Sequence, residues 1–577
     1  MIKHIDFHAL ERIRNRINRL YGPSESEHLL ERTVALIGRY GVGLEGFSHA
    51  DRWDESTSVL ITYGDMVQND NEAPLQVLKR FADQYLSGAI SSIHFLPFFP
   101  YSSDDGFSVI DYRVVDPKLG DWNDIAEVGR GFRLMFDLVL NHASRKSKWF
   151  DDYIANIAPY RDYFIEVDPE TDLSAVTRPR ALPLLTPVHT LHGDTHVWTT
   201  FSEDQIDLDF SNPDVLFEFL DILLFYIANG AAIIRLDAIA YLWKQISTSC
   251  IHLEQTHEAV KLMRDLLDMV APEVVLLTET NVPHEENISY FGKGDEAHMV
   301  YQFSLPPLLL HGLVNGNASH LTRWAALLNE MPDNCTYLNF TASHDGIGVR
   351  PLQGIIPDDE LNRLAERMKE LGGHVSTKTN SDGSESPYEI NITYFDALGD
   401  DPGQVTDLHI ARFLCSQTVA MELRGVPAVY FHSLTATRNN YAGVEETGRA
   451  RTINRRKWQE SELRELLATP RSPTARVMKE YLYRLQHRSQ HKVFHPDASQ
   501  AIIDLGPELF AVKRVWKKET VICISNFTDQ YMEFKSEDGL PELSESRSCS
   551  DILTGQRYMG EGKVIALNAY QTVWLQF

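Results

Sequence analysis

The amino-acid sequence predicts an α/β protein: a (β/α)8 TIM barrel with inserted subdomains, followed by a C-terminal antiparallel β domain. Eight short runs of residues are apolar throughout and alternate with helix-like stretches, which is typical of parallel strands buried on both faces. Polar residues fall at the C-terminal ends of these runs, and in a barrel that end carries the active site. The last part of the chain instead alternates apolar and polar residues, which indicates antiparallel strands.

Residues 1–55 are predicted to form a polar, helical N-terminal extension. Apolar residues recur there at helical spacing in two stretches, so each helix would have one apolar side. We therefore expect the extension to pack on the main domain. The recurring residues are Leu10, Ile13, Ile17 and Leu20, then Leu29, Leu30, Val34 and Leu36.

The predicted barrel occupies residues 56–145 and 216–493 and contains eight strands, of which the sixth has the weakest pattern. Strands that alternate with helices in this way imply a parallel sheet, and eight such units suggest a closed barrel. The runs are Ser58 to Asp65, Ser91 to Pro97, Phe132 to Asn141, Ala231 to Asp237, Val274 to Glu279, His298 to Ser304, Thr336 to Asp345 and Val426 to His432.

Two insertions and a tail complete the predicted organisation. Residues 146–215 are too many for a simple loop and include Pro169, Pro179, Pro183 and Pro187, so they are interpreted as an inserted domain B. Residues 354–403 form a second insertion, rich in Gly, Asn, Ser and Asp. Residues 494–577 are predicted to be the small antiparallel β domain.

The composition narrows the classes of partner. The 577 residues carry a formal net charge of -27, which repels nucleic acids and anionic membranes. The five cysteines are widely spaced without a CxxC motif, so neither a disulfide framework nor a zinc site is expected. The N-terminus lacks the apolar core of a signal peptide, and no apolar run approaches the length of a membrane span. We expect a cytoplasmic protein.

Acidic residues at strand ends are the first candidates for chemistry. Asp137, Asp237, Glu279 and Asp345 would converge on one mouth of the barrel. Arg235 lies two residues before Asp237, so both side chains share a face and the guanidinium could keep the carboxylate ionised. A structural ion pair explains the same pattern. Glu279 would need a raised pKa to donate a proton, whereas strand-end glutamates are also often solvated or cap helices.

Two histidines accompany these acids. His344 and Asp345 together could hold neighbouring sugar hydroxyls, and a local hydrogen bond between them is the simpler interpretation. His142 closes the segment of the third strand and could donate a hydrogen bond to a hydroxyl. Each of these signals is weak alone.

Six short segments, in this order and at predicted strand ends, resemble the conserved segments of the α-amylase superfamily, glycoside hydrolase family 13. They are DLVLNH (137–142), QIDLDFSNP (205–213), IIRLDAI (233–239), LLTETN (276–281), FTASHD (340–345) and GVPAVYF (425–431). Longer stretches are similar to the sucrose phosphorylase subgroup over residues 55–577, among them FLPFFPYSSDDGFSVIDY, TRPRALPLLTP and INRRKW. Within the subgroup the chain most resembles enzymes that act on glucosylglycerate or glucosylglycerol.

The resemblance implies roles for individual residues. Asp237 matches the nucleophile, Glu279 the acid/base and Asp345 the transition-state stabiliser. Tyr388 and Glu389 fall on a loop that lines the acceptor side, and Glu389 replaces the Gln of sucrose-specific members, which weakens sucrose as the substrate. The residues that match the substrate-binding site are Asp104, Phe107, His142, Phe201, Gln205, Arg235, His344 and Arg455. Those expected to meet phosphate or the acceptor are Arg178, Arg180, Tyr388 and Glu389.

The implied reaction is a retaining, double-displacement phosphorolysis of a small α-glucoside that gives α-glucose 1-phosphate. Glycerate is the first choice of acceptor, with glycerol, fructose and fructose 6-phosphate left open. A hydrolase or transglucosylase of the same superfamily is the runner-up, and a non-catalytic binding subunit is disfavoured because all three acids are present. We expect no cofactor and no metal, although Asn141 stands where many amylases supply a calcium ligand. The expected partners are inorganic phosphate and the glucoside, and a homodimer stays open.

Overall fold

A computed structural model describes residues 7–40, 52–179, 182–328, 331–379, 385–535, 540, 548–559 and 563–577. Within them, eight parallel strands close into one barrel, in which the first strand pairs with both the second and the last. Every strand lies inside one of the predicted apolar runs, so the predicted fold class is confirmed. The strands are β1 Val59–Thr62, β2 Ser92–Phe95, β3 Arg133–Val139, β4 Ala231–Asp237, β5 Val275–Thr278, β6 Met299–Tyr301, β7 Thr336–Phe340 and β8 Val426–Tyr430.

Amphipathic and apolar helices surround the barrel, which explains why the strands are buried on both faces. Several begin at residues with strong N-terminal preferences; the Asn212 side chain, for example, accepts a hydrogen bond from the backbone N–H of Asp214 and precedes a proline. None of the described helices is both long and apolar enough to span a bilayer. The helices are Pro74–Tyr85, Trp122–Gly129, Pro213–Ala228, Glu254–Val270, His284–Ile288, Leu305–Asn315, Ser319–Ala325, Asp407–Glu422 and Pro473–Ser489.

The N-terminal residues form two helices, α1 Phe7–Tyr21 and α2 Pro23–Tyr40. Ile13 and Ile17 are fully buried. On the same helix, Arg16 Nε lies 3.1 Å from a carboxylate oxygen of Asp265, on the helix that follows β4. The extension is therefore joined to the outside of the barrel by both apolar contacts and ion pairs.

Between β3 and the helix Pro213–Ala228 the chain forms the helix Lys148–Ile154, a hairpin and a short strand pair. The strand His142–Ser144 pairs antiparallel with Gln205–Asp207, so the start and the end of the insertion meet beside the barrel mouth. The hairpin strands are Leu185–Thr190 and Gly193–Trp198.

The second insertion contains the helix Asp358–Glu370 and the strands His374–Thr379 and Glu385–Asn391, which form a three-stranded antiparallel sheet with Ile347–Gly348. It lies directly after β7 and brings the strand Glu385–Asn391 to the mouth of the barrel. Short elements complete the barrel domain: Val67–Gln68, Trp458–Gln459, Tyr394–Ala397, Phe431–Leu434, Tyr441–Thr447, Glu460–Ala468 and the 3-10 turns Asp104–Gly106, Tyr160–Asp162, Ile239–Tyr241, Ser289–Phe291, Arg350–Leu352, Ala450–Asn454 and Lys492–Phe494.

The C-terminal part is antiparallel. In the described residues its main sheet has six strands, and a separate sheet has two. The six strands, in spatial order, are Ser499–Ile503, Leu509–Trp516, Glu519–Asn526, Thr572–Gln576, Ser548–Asp551 and Arg557–Met559, and the pair is Met532–Lys535 with Val564–Leu567. All five cysteines of the chain are buried as free thiols.

Candidate active site

The pairing of β4 with β5 places two acids side by side at the barrel mouth. Leu277 is paired with Arg235 and Thr278 with Leu236, so the next residues, Asp237 and Glu279, are neighbours. Ala238 has a left-handed backbone (φ 50°), which turns the chain sharply after β4. Its N–H donates to Glu279 Oε2 at 2.9 Å. Strand register and this turn together fix the two carboxylates.

Arg235 is buried between three acids. Its Nη1 lies 2.7 Å from Asp237 Oδ1 and also donates to Asp137, on the neighbouring strand β3. Its Nη2 lies 3.9 Å from Glu279 Oε2. Asp137 in turn accepts a hydrogen bond from His94, whose Nε2 lies 2.7 Å from Asp137 Oδ2. The guanidinium is thus anchored from behind by Asp137 and faces the cavity through its contacts with Asp237 and Glu279.

Burial dominates the electrostatics of the neighbouring acids. It raises the pKa of Asp237 well above its usual range, although the Arg235 guanidinium at 2.7 Å opposes the rise. Burial also raises the pKa of Glu279, where Arg235 opposes the rise from a larger distance of 3.9 Å. Because the cation is closer to Asp237, the geometry favours the negative charge on Asp237 and the proton on Glu279.

Asp345 has the opposite environment. Three cationic or polar groups surround its carboxylate: Arg451 Nη1 at 2.5 Å, His344 Nε2 at 3.4 Å and Arg455 Nη2 at 3.7 Å. Arg451 contributes most to holding the pKa of Asp345 well below its usual value, despite burial. Burial lowers the pKa of His344 to about 3, so this ring is neutral at neutral pH. Asp345 is therefore an anion at neutral pH, next to two acids whose pKa values are raised by burial.

The remaining predicted substrate-binding residues lie around these three acids. The cavity between them is lined by Asp104, Phe107, His142, Phe201, Gln205 and His344 as well as the acids themselves. The rings of Phe107 and His344 stack at 4.6 Å, and His142 Nε2 lies 2.8 Å from the Phe107 carbonyl oxygen. Below them Arg455 Nε donates to the His344 carbonyl at 2.8 Å and its Nη1 lies 3.6 Å from Asp104. The structure thus brings together all eight residues predicted to bind substrate.

A second, wider cavity opens on the outer side of the catalytic pocket; we call it the outer cavity. It has a volume of roughly 810 Å³ and shares Asp104, Gln205, Tyr388, Glu389 and Arg451 with the inner pocket. The exposed Arg178 also lines it. Arg180 lies outside the described residues, so its position at this cavity stays a prediction.

Arg451 is a site residue that the sequence reasoning missed. Its Nε and Nη2 bind Glu389 with two bonds of 3.1 and 2.6 Å, while Nη1 binds Asp345. One guanidinium therefore joins the acceptor-side carboxylate to the glucose-side carboxylate. The sequence does contain an indication of this residue: Arg451 lies just before the basic segment INRRKW, four residues before Arg455.

Asn141 lies beside an internal cation. The Lys244 ammonium is 2.6 Å from Asn141 Oδ1 and 2.6 Å from Asp207 Oδ2. The Lys244 ammonium thus occupies the space beside Asn141 Oδ1 and Asp207 Oδ2 in which a bound metal cation would contact them. Among the described residues, no group of three or more His, Cys, Asp or Glu side chains is placed to hold a metal ion.

Comparison with known proteins shows which proteins the chain is similar to. Residues 84–349 match the catalytic domain of the alpha-amylase family. The chain is 46% identical to glucosylglycerate phosphorylase from Allomeiothermus silvanus over 94% of its own length and 96% of the relative's. It is 45% identical to glucosylglycerate phosphorylase from Escherichia coli, with coverage of 91% and 92%. The solved structure of sucrose 6F-phosphate phosphorylase from Thermoanaerobacter thermosaccharolyticum superposes with a TM-score of 0.72 at 25% identity and covers 84% of this chain and 96% of that one.

Proposed function

The chain belongs to the α-amylase family and, within it, to the sucrose phosphorylase-like glycoside phosphorylases, which confirms the resemblance drawn from its motifs. On that premise we propose that it is a glucosylglycerate phosphorylase, which converts glucosylglycerate and inorganic phosphate reversibly to α-glucose 1-phosphate and glycerate. The observation that carries this choice of substrate is the 43–46% identity to three glucosylglycerate phosphorylases along nearly the whole chain.

In the first step, Asp237 attacks the anomeric carbon while Glu279 protonates the departing glycerate oxygen. The C–O bond to glycerate breaks, and a β-glucosyl ester of Asp237 forms. Two features support this assignment: Arg235 lies closer to Asp237 and favours its anion, and burial raises the pKa of Glu279. Arg235 is therefore proposed to set which acid is the nucleophile.

The glucose ring would lie between Phe107 and Phe201, with its hydroxyls held by Asp104, His142, His344 and Arg455, and with Gln205 as a nearby polar contact. Asp345 is proposed to stabilise the positive charge that develops at the oxocarbenium-like transition state. Its low pKa supports this role because a neutral acid could not do so. Positioned dipoles in a buried pocket act strongly because little water screens them.

In the second step a phosphate oxygen attacks the anomeric carbon of the ester, the bond to Asp237 breaks, and Glu279 accepts the phosphate proton. Arg178 and Arg180 are proposed to meet phosphate or the glycerate carboxylate, with Tyr388 and Glu389 on the acceptor side. Arginine suits this task because its planar fork binds carboxylate and phosphate through two bonds. Neither step requires a metal, and the Lys244 ammonium already supplies a cation beside Asn141 and Asp207.

The runner-up activities share the first step and differ in the acceptor. Phosphorolysis of glucosylglycerol, sucrose or sucrose 6'-phosphate would release glycerol, fructose or fructose 6-phosphate, respectively. An α-glucosidase would use water in place of phosphate in the second step. The test is synthesis from α-glucose 1-phosphate with each acceptor, measured as released phosphate. We expect glycerate to give the fastest release and Asp237→Ala to abolish it. Equal glucose release from the glucoside with and without phosphate would instead identify a hydrolase.

A homodimer and a cytoplasmic location are further proposals. The first follows from the resemblance to the sucrose phosphorylase subgroup, and the second from the acidic composition of the chain. Light scattering on the purified protein and fractionation of cells would test them.

A further inference from the structure

The charges on the wall of the outer cavity are unevenly compensated. Each lining carboxylate has a partner: Asp104 and Asp105 lie against Arg455, and Glu389 binds Arg451. Three lining cations, Arg178, Lys378 and Arg449, take part in none of the ion pairs formed by the described residues. All three are exposed. The wall of the outer cavity therefore carries an excess of positive charge.

These cations come from three separate parts of the chain. Arg178 belongs to the first insertion, Lys378 lies on the strand His374–Thr379 of the second, and Arg449 precedes the turn Ala450–Asn454. They converge because both insertions and the segment before the turn Ala450–Asn454 fold toward the same mouth, so no local basic run in the sequence indicates the cluster.

Acidic side chains predominate among the charged residues that line the inner pocket. Asp237, Glu279, Asp345 and Glu389 line it, and Arg451 is the only arginine among its lining residues in the described part of the chain. The whole protein adds a formal net charge of -27. A dianion that approaches the pocket therefore needs local cations outside it, because unlike charges at the entrance raise the local concentration of the ligand.

We infer that Arg178, Lys378 and Arg449 form an anion-docking site in the outer cavity, which binds inorganic phosphate or the carboxylate of the acceptor before it moves inward past Arg451. The inference rests on the proposed phosphorylase activity and adds Lys378 and Arg449 to it. Neither residue touches the three acids, so the site governs capture of the anion and leaves the bond-making steps unchanged.

The test is the double variant K378Q/R449Q, compared with K518Q/R557Q as control. Lys518 and Arg557 are exposed in the C-terminal sheet region and form none of the ion pairs of the described residues, so the control removes the same charge elsewhere. Initial rates are measured against phosphate in phosphorolysis and against glycerate in synthesis, at ionic strengths of about 0.01 M and about 0.2 M.

We expect kcat/KM for phosphate to fall about 10-fold at low salt in K378Q/R449Q, with kcat at saturating phosphate unchanged and a weaker dependence on salt. The control should stay within about twofold of the unaltered enzyme. A parallel fall in kcat/KM for glycerate would show that the site also binds the acceptor carboxylate. A fall in kcat/KM for phosphate alone would show that the site binds only phosphate. If neither value differs from the control, the docking site is refuted. If the unaltered enzyme shows no phosphorolysis, it is the proposed function that fails.

Discussion

Arg451 offers the most direct test of how the site distributes its charges. The perturbation is Arg451→Gln, which removes the cation shared by Asp345 and Glu389 but keeps a side chain of similar length. The Nη1 of Arg451 lies 2.5 Å from Asp345 Oδ1, and the charges are centred about 4 Å apart. At an effective dielectric constant of about 20 such a pair is worth about 4 kcal/mol.

Not all of this energy is lost in the variant. Arg455 still lies 3.7 Å from Asp345, and the side chains of Arg451 and Asp345 are 27% and 25% exposed, so solvent screens the pair. We therefore expect about 2 kcal/mol of lost transition-state stabilisation, equivalent to a fall of roughly 30-fold in kcat. The assay is phosphate release from α-glucose 1-phosphate with saturating glycerate, with KM for the sugar phosphate measured in parallel.

Glu389 supplies the control. In Arg451→Gln this buried carboxylate keeps its charge but loses its partner, and an unpaired buried charge is costly. The double variant E389Q/R451Q removes that charge, so we expect it to recover roughly threefold to tenfold of the lost kcat. A kcat within about twofold of the unaltered enzyme in Arg451→Gln would refute the view that Arg451 sets the charge of Asp345.

Two further predictions concern stability. Burial raises the pKa of Glu422 to about 8 from an ordinary 4.5, so the folded state holds a proton that the unfolded chain releases. The contribution of Glu422 to the unfolding free energy should therefore fall as pH rises from about 4.5 to about 8, by roughly 1.4 kcal/mol per pH unit. Glu422→Gln lacks this contribution, so in urea titrations its unfolding free energy relative to that of the unaltered protein should rise with pH over this range, and a constant difference would contradict the assignment. The buried guanidinium of Arg488 donates to four backbone carbonyls, so Arg488→Met should lower the unfolding free energy by about 3–5 kcal/mol. The specific activity of the folded enzyme should be unchanged. A shift in Tm of less than about 2 °C would contradict this prediction. The four carbonyls belong to Glu55, Met421, Gly425 and Phe494.

The sequence by itself determined the barrel and the convergence of its acids. Strands buried on both faces are apolar throughout, so the eight runs could be located by composition alone. Since the strands are parallel, their carboxyl ends share one mouth, which is enough to place Asp237, Glu279 and Asp345 together. The six family segments then suggested a role for each acid.

Only the tertiary structure decided how those acids are charged. Asp345 and Arg451 are 106 positions apart and Glu389 and Arg451 are 62 apart, so no local pattern indicates that one guanidinium serves both carboxylates. The same holds for Lys244 between Asn141 and Asp207, and for the three cations of the outer cavity. Protonation and anion binding depend on burial and on distances of a few ångströms between side chains, and the packing of the loops and insertions around the barrel mouth sets these distances.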